Sequence, residues 1–228
     1  MRVSVVIPAY NEEKYIKKCL ISVVNQVVSA DEIIVVNNNS TDKTETFARK
    51  FGARIVNEKV QGMTPARNRG FNSAKYEIIA RCDADTVVPK DWIKRIKSNF
   101  EKGDIDALTG PVFFNDSEIL KSTSTLPADL AWKSFKLIAK GKKYLIGPNM
   151  VITKKIWTQV KDIVEMDDKK VHEDMDLSLK IAKVGGRIGY DPALIVGISA
   201  RRLKKHPESF FLEYPVRVVK TLLANNKK

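Results

Sequence analysis

Through the first half of the chain, short β-branched runs alternate with stretches of helical periodicity. Val3–Ile7 is a largely apolar run that stops at Pro8 and reads as a buried strand. From Glu12 to Val28, apolar residues recur at Ile16, Leu20, Val23, Val24 and Val27, a helical spacing. Ile33–Val36 is a second apolar strand. Asn39-Ser40-Thr41-Asp42 then offers N-cap chemistry to a helix that runs to about Phe51 and closes at Gly52. Arg54–Val56 reads as a third strand and Thr64–Ala74 as a helix, with Pro65 in a first turn where a missing N–H costs little. Glu77–Cys82 is a fourth strand, followed by a helix over Lys90–Phe100.

Such short apolar strands, separated by helices, are buried on both faces. The pattern predicts an α/β architecture, doubly wound, with a mostly parallel sheet and helices on both faces. The second half is more mixed. Ala107–Phe114 reads as one strand, Ser117–Ala139 as a long helix or helix pair, and Tyr144–Thr153 as extended chain. Glu173–Val184 reads as a helix ended by Gly185-Gly186, and Arg187–Tyr190 and Leu194–Ser199 as strands. A terminal helix, Pro207–Ala224, is interrupted at Pro215, and Lys140–Lys143 and Asp167–Lys170 read as mobile charged loops. With no repeat and no low-complexity linker, the expectation is one continuous domain over residues 1–228. It would comprise a nucleotide-binding half to about residue 110, an acceptor-side half to about residue 200, and a basic tail from 201.

Composition adds charge to this picture. Lys and Arg number 40 against 27 Asp and Glu, a formal charge of +13, which favours anionic partners. Two cysteines, Cys19 and Cys82, lie far apart and match no zinc or redox spacing, so both are expected reduced. The opening MRVSVVIPAY lacks the features of a secretory leader, and no apolar stretch is long enough to cross a bilayer. A cytoplasmic protein is the resulting expectation.

Chemistry concentrates where the strands end. Asp83-Ala84-Asp85 follows the fourth strand, and on extended chain residues two apart point to one side. Two carboxylates at the carboxyl end of a strand suit Mg²⁺ or Mn²⁺, more so when a diphosphate completes the coordination. The plain alternative is a solvated acidic turn. Pro8-Ala9-Tyr10-Asn11-Glu12 follows the first strand and Asn37-Asn38-Asn39-Ser40 the second, so one edge of the sheet collects three polar segments. Asn11 and Ser40 also read as helix caps. His172-Glu173-Asp174 opens a helix, where acidic residues are ordinarily stabilising and where a carboxylate can equally serve as a base.

Taken in order, IPAYNEE, VVNNNSTDKT, ARNRG, DADT and HEDMDL resemble a family 2 glycosyltransferase with the GT-A fold, from about Val3 to Asp191. The resemblance implies an inverting transferase that uses a nucleoside-diphosphate-sugar donor and a divalent metal. It implies that Pro8, Ala9 and Tyr10 border the base with Glu12 beside it, that Asn37 and Asn38 lie against the base, and that Arg67 contacts the diphosphate. Asp83 and Ala84 would lie near ribose and metal, with Asp85 as principal metal ligand and Asp83 in support. Asp174 would be the general base and Glu173 its neighbour in the acceptor pocket. Many relatives carry Asp where this chain has Asn37 and Asn38, so uracil, guanine and thymine all stay open. His206 and His172 are candidates for a further metal ligand, and Asp176 is expected as a helix-surface or capping residue. Trp132, Trp157 and Tyr144 are open between stacking on an acceptor sugar and core packing.

The tail pairs cations, Arg201-Arg202-Leu203-Lys204-Lys205, with an apolar stripe through Phe211, Pro215, Val218 and Leu222. It reads either as a helix lying on an anionic membrane, which would suit a lipid-linked acceptor, or as a final helix closing the core. A saccharide acceptor is equally open. A sugar-1-phosphate nucleotidyltransferase is the rival enzyme, but IPAYNEE lacks the glycine and arginine of its first loop. A basic polyanion-binding protein is the rival without chemistry. The cations, however, are spread along the chain, and no nucleic-acid motif is present.

Overall fold

The computed structural model describes residues 1–116, 143–205 and 213–226. The expected helix over Ser117–Ala139, Trp132, His206 and the stretch from Pro207 to Phe211 lie outside these. A central sheet of seven strands has the order β3-β2-β1-β4-β7-β5-β8. Its strands are β1 (Val3–Ala9), β2 (Glu32–Asn37), β3 (Arg54–Asn57), β4 (Ile78–Arg81), β5 (Ala107–Thr109), β7 (Met150–Thr153) and β8 (Ile188–Tyr190). β1 to β4 are mutually parallel where they pair, and β7 runs antiparallel to both β4 and β5. β6 (Val112–Phe114) and β9 (Val196–Ile198) form a second, parallel pair.

Pro8 does not end β1. Successive carbonyls of a strand point to opposite sides: that of Val6 accepts from Cys82 after β4, that of Ala9 from Asn38 after β2. Pro8 therefore faces the β4 side, beyond the last β1–β4 pair at Val6 and Arg81, where no ladder hydrogen bond is missed. The expected strand over Ala107–Phe114 instead breaks at Gly110-Pro111 and serves two sheets. A Cβ at Gly110 would stand 2.1 Å from the Leu194 carbonyl oxygen, and Pro111 has no N–H to continue a ladder. Tyr144–Thr153 is extended only from Met150, because Asn149 N–H donates to Ile146 O and closes a turn first.

Both faces of the sheet are covered, as the apolar runs require. On one side Val3, Val5 and Ile7 pack with α1 (Ile16–Val24) and α4 (Trp92–Glu101). On the other Val6, Ile34, Val36 and Ile79 pack with α3 (Met63–Ser73), α5 (Lys154–Val160) and α6 (Glu173–Lys183). α2 (Thr44–Lys50) lies beside α1 and β3. α1 is shorter than its periodicity suggests: Asn11 turns left-handed at φ 53°, and Val27 N–H leaves the helix to bond Lys90 O.

The chain ends with α7 (Arg201–Lys205) and α8 (Tyr214–Asn226). Pro215 is the second residue of α8, where its missing N–H costs no helical hydrogen bond, and the part of the expected helix before residue 213 lies outside the described residues. α8 lays Val218 and Leu222 on Tyr144, Met175 and Leu179. No described helix is long and apolar enough to cross a membrane.

Candidate active site

Parallel pairing puts the carboxyl ends of β1, β2, β3 and β4 along one edge of the sheet, as does the start of the antiparallel β7. At this edge Pro8 and Ala9 pair with Val36 and Asn37, both being buried, while Tyr10 stands out with 52% of its surface exposed. Asn11 and Ser40 tie the two loops together rather than capping helices: Asn11 N–H donates to Ser40 Oγ, and Asn11 Oδ1 accepts from Thr41 N–H. Asn38 is buried. Its amide donates to Glu58 O and Val60 O, and its Oδ1 accepts from Gly62 N–H. Asn37 is likewise engaged, donating to Glu45 and accepting from Ser40 N–H. Both amides thus shape loops beside the edge, and Asn38 holds the 58–62 loop against β2.

Asp83-Ala84-Asp85 is a turn, not extended chain. Thr86 N–H donates to Asp83 O at 3.0 Å, and Ala84 faces the core. The two carboxylates still stand together, but each meets a different arginine. Arg81 Nη2 donates to Asp83 Oδ1 at 2.9 Å, and Arg201 Nε to Asp85 Oδ2 at 3.1 Å. Arg201 also pairs with Glu12 and stacks on Tyr15, its guanidinium carbon 4.2 Å from the ring centre. Burial, then the neighbouring charge of Asp83, pushes Asp85 up to about 7 despite Arg201. Burial also raises Glu12 above the usual carboxylate range. Behind the turn, Cys19 and Cys82 meet with sulfurs 3.9 Å apart, both buried and unbonded.

Glu173 reaches this cluster from α6. Its carboxylate pairs with Arg67 through one oxygen and Arg81 through the other. Arg67 is fully buried: its Nη1 also donates to the Glu173 carbonyl, and its Nε and Nη2 donate to Asn68 Oδ1. It therefore lies beneath the cleft, and contact with a diphosphate would require it to leave these partners. Arg81 is equally buried, its pKa raised because Glu173 and Asp83 outweigh desolvation. Asp174 is buried one residue on: Oδ1 meets His172 Nδ1 and Oδ2 accepts from Gly147 N–H at 3.0 Å. Burial works to raise the Asp174 carboxyl, but His172 and Arg81 hold it below the usual range, and Asp174 in turn raises His172 against its own burial. Any Cβ at Gly147 would approach both Asp174 and Arg81, so the turn before β7 closes over the two.

Two expectations need correction. Asp176 is buried, not on the surface: it accepts from Glu165 N–H and Asn225 Nδ2 and so fastens α8 to α6. Asp167–Lys170 is no loose loop, since Asp168 accepts from Met63 and Thr64 N–H and caps the start of α3. Of the two alternatives for Trp157 and Tyr144, core packing holds: Trp157 packs edge-on to Phe71, and Tyr144 is buried beneath α8. Arg81 and Arg201 were not singled out from sequence. An arginine closing an apolar strand one residue short of DAD was the available signal for the first; Arg201 was hidden in a run of cations.

The donor set fits a hard divalent cation. Glu12 and Asp85 already share one cation, Arg201, and Glu12 Oε2 is buried with no hydrogen bond among the described residues. Among those residues no three His, Cys, Asp or Glu side chains converge as a complete ligand set, so phosphate oxygens and water would supply the remainder.

The profile of Glycosyl transferase family 2 matches residues 4–164. Probable glycosyltransferase YdaM of Bacillus subtilis is 29% identical over 215 residues, 85% of this chain and 50% of the relative. This chain spans at most half the length of the curated relatives GlyA of Streptococcus pneumoniae, AglE of Haloferax volcanii and YdaM. Among solved structures, the mannosyltransferase PcManGT of Pyrobaculum calidifontis, in complex with GDP-Man and Mn²⁺, aligns with a TM-score of 0.76 at 19% identity. That alignment covers 100% of this chain and 64% of that one. Glucosyl-3-phosphoglycerate synthase of Mycobacterium tuberculosis, with Mn²⁺, UDP and phosphoglyceric acid, gives 0.68 at 19% identity over 98% and 78%. At such identities the likeness is one of fold.

Proposed function

The chain belongs to glycosyl transferase family 2, and we propose that it moves a sugar from a nucleoside-diphosphate-sugar to an acceptor hydroxyl, with inversion and with a divalent metal. The observation that carries this reading is the meeting, on one sheet edge, of the Asp83–Asp85 turn with the start of α6, linked through Arg81. The comparison proteins found with GDP-Man or UDP support the donor class. Since the side chains of Asn37 and Asn38 are engaged in loops, they do not select among UDP, GDP and dTDP.

In this reading Asp85, with Asp83 and Glu12 beside it, would hold Mg²⁺ or Mn²⁺, which when bound would supply Lewis-acid neutralisation of the departing diphosphate. Pro8, Ala9 and Tyr10 border the base, Tyr10 through its exposed ring. Arg67 acts from below by fixing Glu173. Asp174 takes the proton of the acceptor hydroxyl as it attacks the anomeric carbon from the face opposite the leaving group. Its low pKa keeps it ionised at neutral pH, and the hydrogen bonds from His172 and Gly147 fix its orientation. The acceptor is a saccharide or lipid-linked saccharide. α8 supports a membrane-side location: Val216, Val219 and Leu223 are exposed at helical spacing with Lys220 among them, a face suited to anionic lipid.

The test is a panel of UDP-, GDP- and dTDP-sugars with Mn²⁺, reading released nucleoside diphosphate with and without EDTA, and product anomer by NMR. Release from one donor class, lost in EDTA and in Asp85→Ala, is expected. Asp174→Asn should lower transfer by roughly 10²–10⁴-fold while leaving nucleotide affinity near that of the unmodified protein. No release from any donor, or a retained anomer, would refute the reading.

A further inference from the structure

Arg201 lies 116 residues beyond Asp85 in the chain, yet its guanidinium is built into the acidic pocket. Nε donates to Asp85, Nη2 pairs with Glu12, and the planar group rests on Tyr15. These contacts hold it in two directions: the carboxylates fix the edge of the plane and the ring fixes its face. The carboxylate side chains keep only 14% and 15% of their surface and the arginine 28%, so water screens the contacts weakly. Among the described residues no other cation pairs with Glu12 or Asp85. Arg201 also lines a cavity of about 270 Å³ with Asn11, Glu13, Tyr15, Asp42 and Lys205, which gives the side chain somewhere to go.

We propose that Arg201 is an internal counter-ion that holds the cation position of Glu12 and Asp85 until a divalent ion takes its place. The inference rests on the reading of Asp85 as a metal ligand. The guanidinium holds one oxygen of each carboxylate, so an ion bound by both would sit against it. Asp85 Oδ2 faces the guanidinium at hydrogen-bond distance, so an ion seated there meets a like charge a few ångströms away in a part-buried site. The guanidinium must therefore leave before the ion binds. It remains tethered at the start of α7, on the rim where a diphosphate would bring new negative charge. Metal alone then binds poorly, and metal together with a diphosphate binds well.

The experiment titrates Mn²⁺ alone into the full chain, without nucleotide, and reads free Mn²⁺ by electron paramagnetic resonance. Arg201→Gln should bind Mn²⁺ at least about tenfold more tightly than the unmodified chain, the size expected when a part-buried, two-point ion pair stops competing. Arg201→Lys keeps the charge but loses the fork geometry and the stacking, so it should tighten binding by a smaller factor. It decides the matter if the glutamine variant does not fold, as thermal unfolding would reveal. Asp85→Asn should weaken Mn²⁺ binding in every background. If Asp85→Asn weakens binding while neither Arg201 variant tightens it, the counter-ion role is overturned and the metal site stands. If Asp85→Asn binds Mn²⁺ like the unmodified chain, the metal reading itself fails and takes this inference with it.

Discussion

At Asp85 burial outweighs the attraction of Arg201 and lifts the carboxyl to about 7, whereas at Asp174 the charges of His172 and Arg81 outweigh burial. Two carboxylates on one cleft are thus tuned apart, the first short of positive charge and the second supplied with it. An ionised Asp85 is costly in the metal-free protein. We expect Asp85→Asn to stabilise that state by about 1–3 kcal/mol, roughly 2–4 °C per kcal/mol in a chain of this size. Calorimetry in EDTA at pH 8 would measure it, and the same variant should lose the stabilisation that Mn²⁺ gives the unmodified protein. The pair His172–Asp174 has a different pH signature. His172 is raised, so its contribution is full below the unfolded value of about 6.5 and is lost as pH climbs through the raised folded value. Asp174 is lowered, so its contribution is present above about 3.8 and is lost as pH falls through the depressed value. Urea denaturation should therefore find His172→Gln most destabilised between about pH 4 and 6.5, with the gap closing towards pH 9. As candidates, Asp83, Asp85 and Asp174 were legible because acidic residues at strand and helix ends carry their signal locally, and Glu12 through the family resemblance. Their partners were not, since a basic run does not say which of its cations turns inward.

Among the elements, α3 illustrates why loops resist reading from sequence. Asp167–Lys170 has the composition of a solvated turn, yet Asp168 accepts from Met63 N–H at 2.6 Å and Thr64 N–H at 3.1 Å, more than 100 residues earlier. A capping residue borrowed from so far along the chain leaves no local pattern. Gly62, at φ 151°, makes room for it: a Cβ there would lie 2.8 Å from Asp168 Oδ2. Asp168→Ala should cost about 0.5–2 kcal/mol, as the loss of a helix cap does. Because α3 carries Arg67, amide exchange should quicken in its first turn before elsewhere. The strands had the opposite character. Period and β-branching located β1 to β4 to within a residue or two: β1 and β4 are buried throughout and β2 through its centre, so the apolar run is itself the signal, while β3 at the sheet edge is only part-buried. Gly110-Pro111 marks where Ala107–Phe114 breaks into β5 and β6, but nothing in the run says that its two ends join different sheets.

Across the whole molecule, the two halves of the cleft are joined by alternating charges: Asp83, Arg81, Glu173 and Arg67 form a buried chain from the β4 end to α3, with the α6 carboxylate between the two arginines. Fold class followed from the alternation of strands and helices, but this chain needs four residues from three parts of the sequence in register, which only the folded molecule supplies. Glu173 is the link most exposed to test. Replacing it by glutamine keeps the size and a hydrogen-bonding end but leaves two guanidiniums, both essentially without exposed surface, facing a neutral group. Arg81 retains Asp83, while Arg67 retains only the Glu173 carbonyl and Asn68. Breaking a buried pair by removing one partner costs about 3–5 kcal/mol, so Glu173→Gln should fall in that range by chemical denaturation. The double variant Arg67→Met with Glu173→Gln removes the stranded charge as well, leaving the Arg81–Asp83 pair balanced. It should therefore be no less stable than Glu173→Gln alone, a coupling that independent sites would not give. If the two changes instead add, Glu173 holds Arg67 by packing and not by charge, and the cleft would not depend on this chain for its alignment.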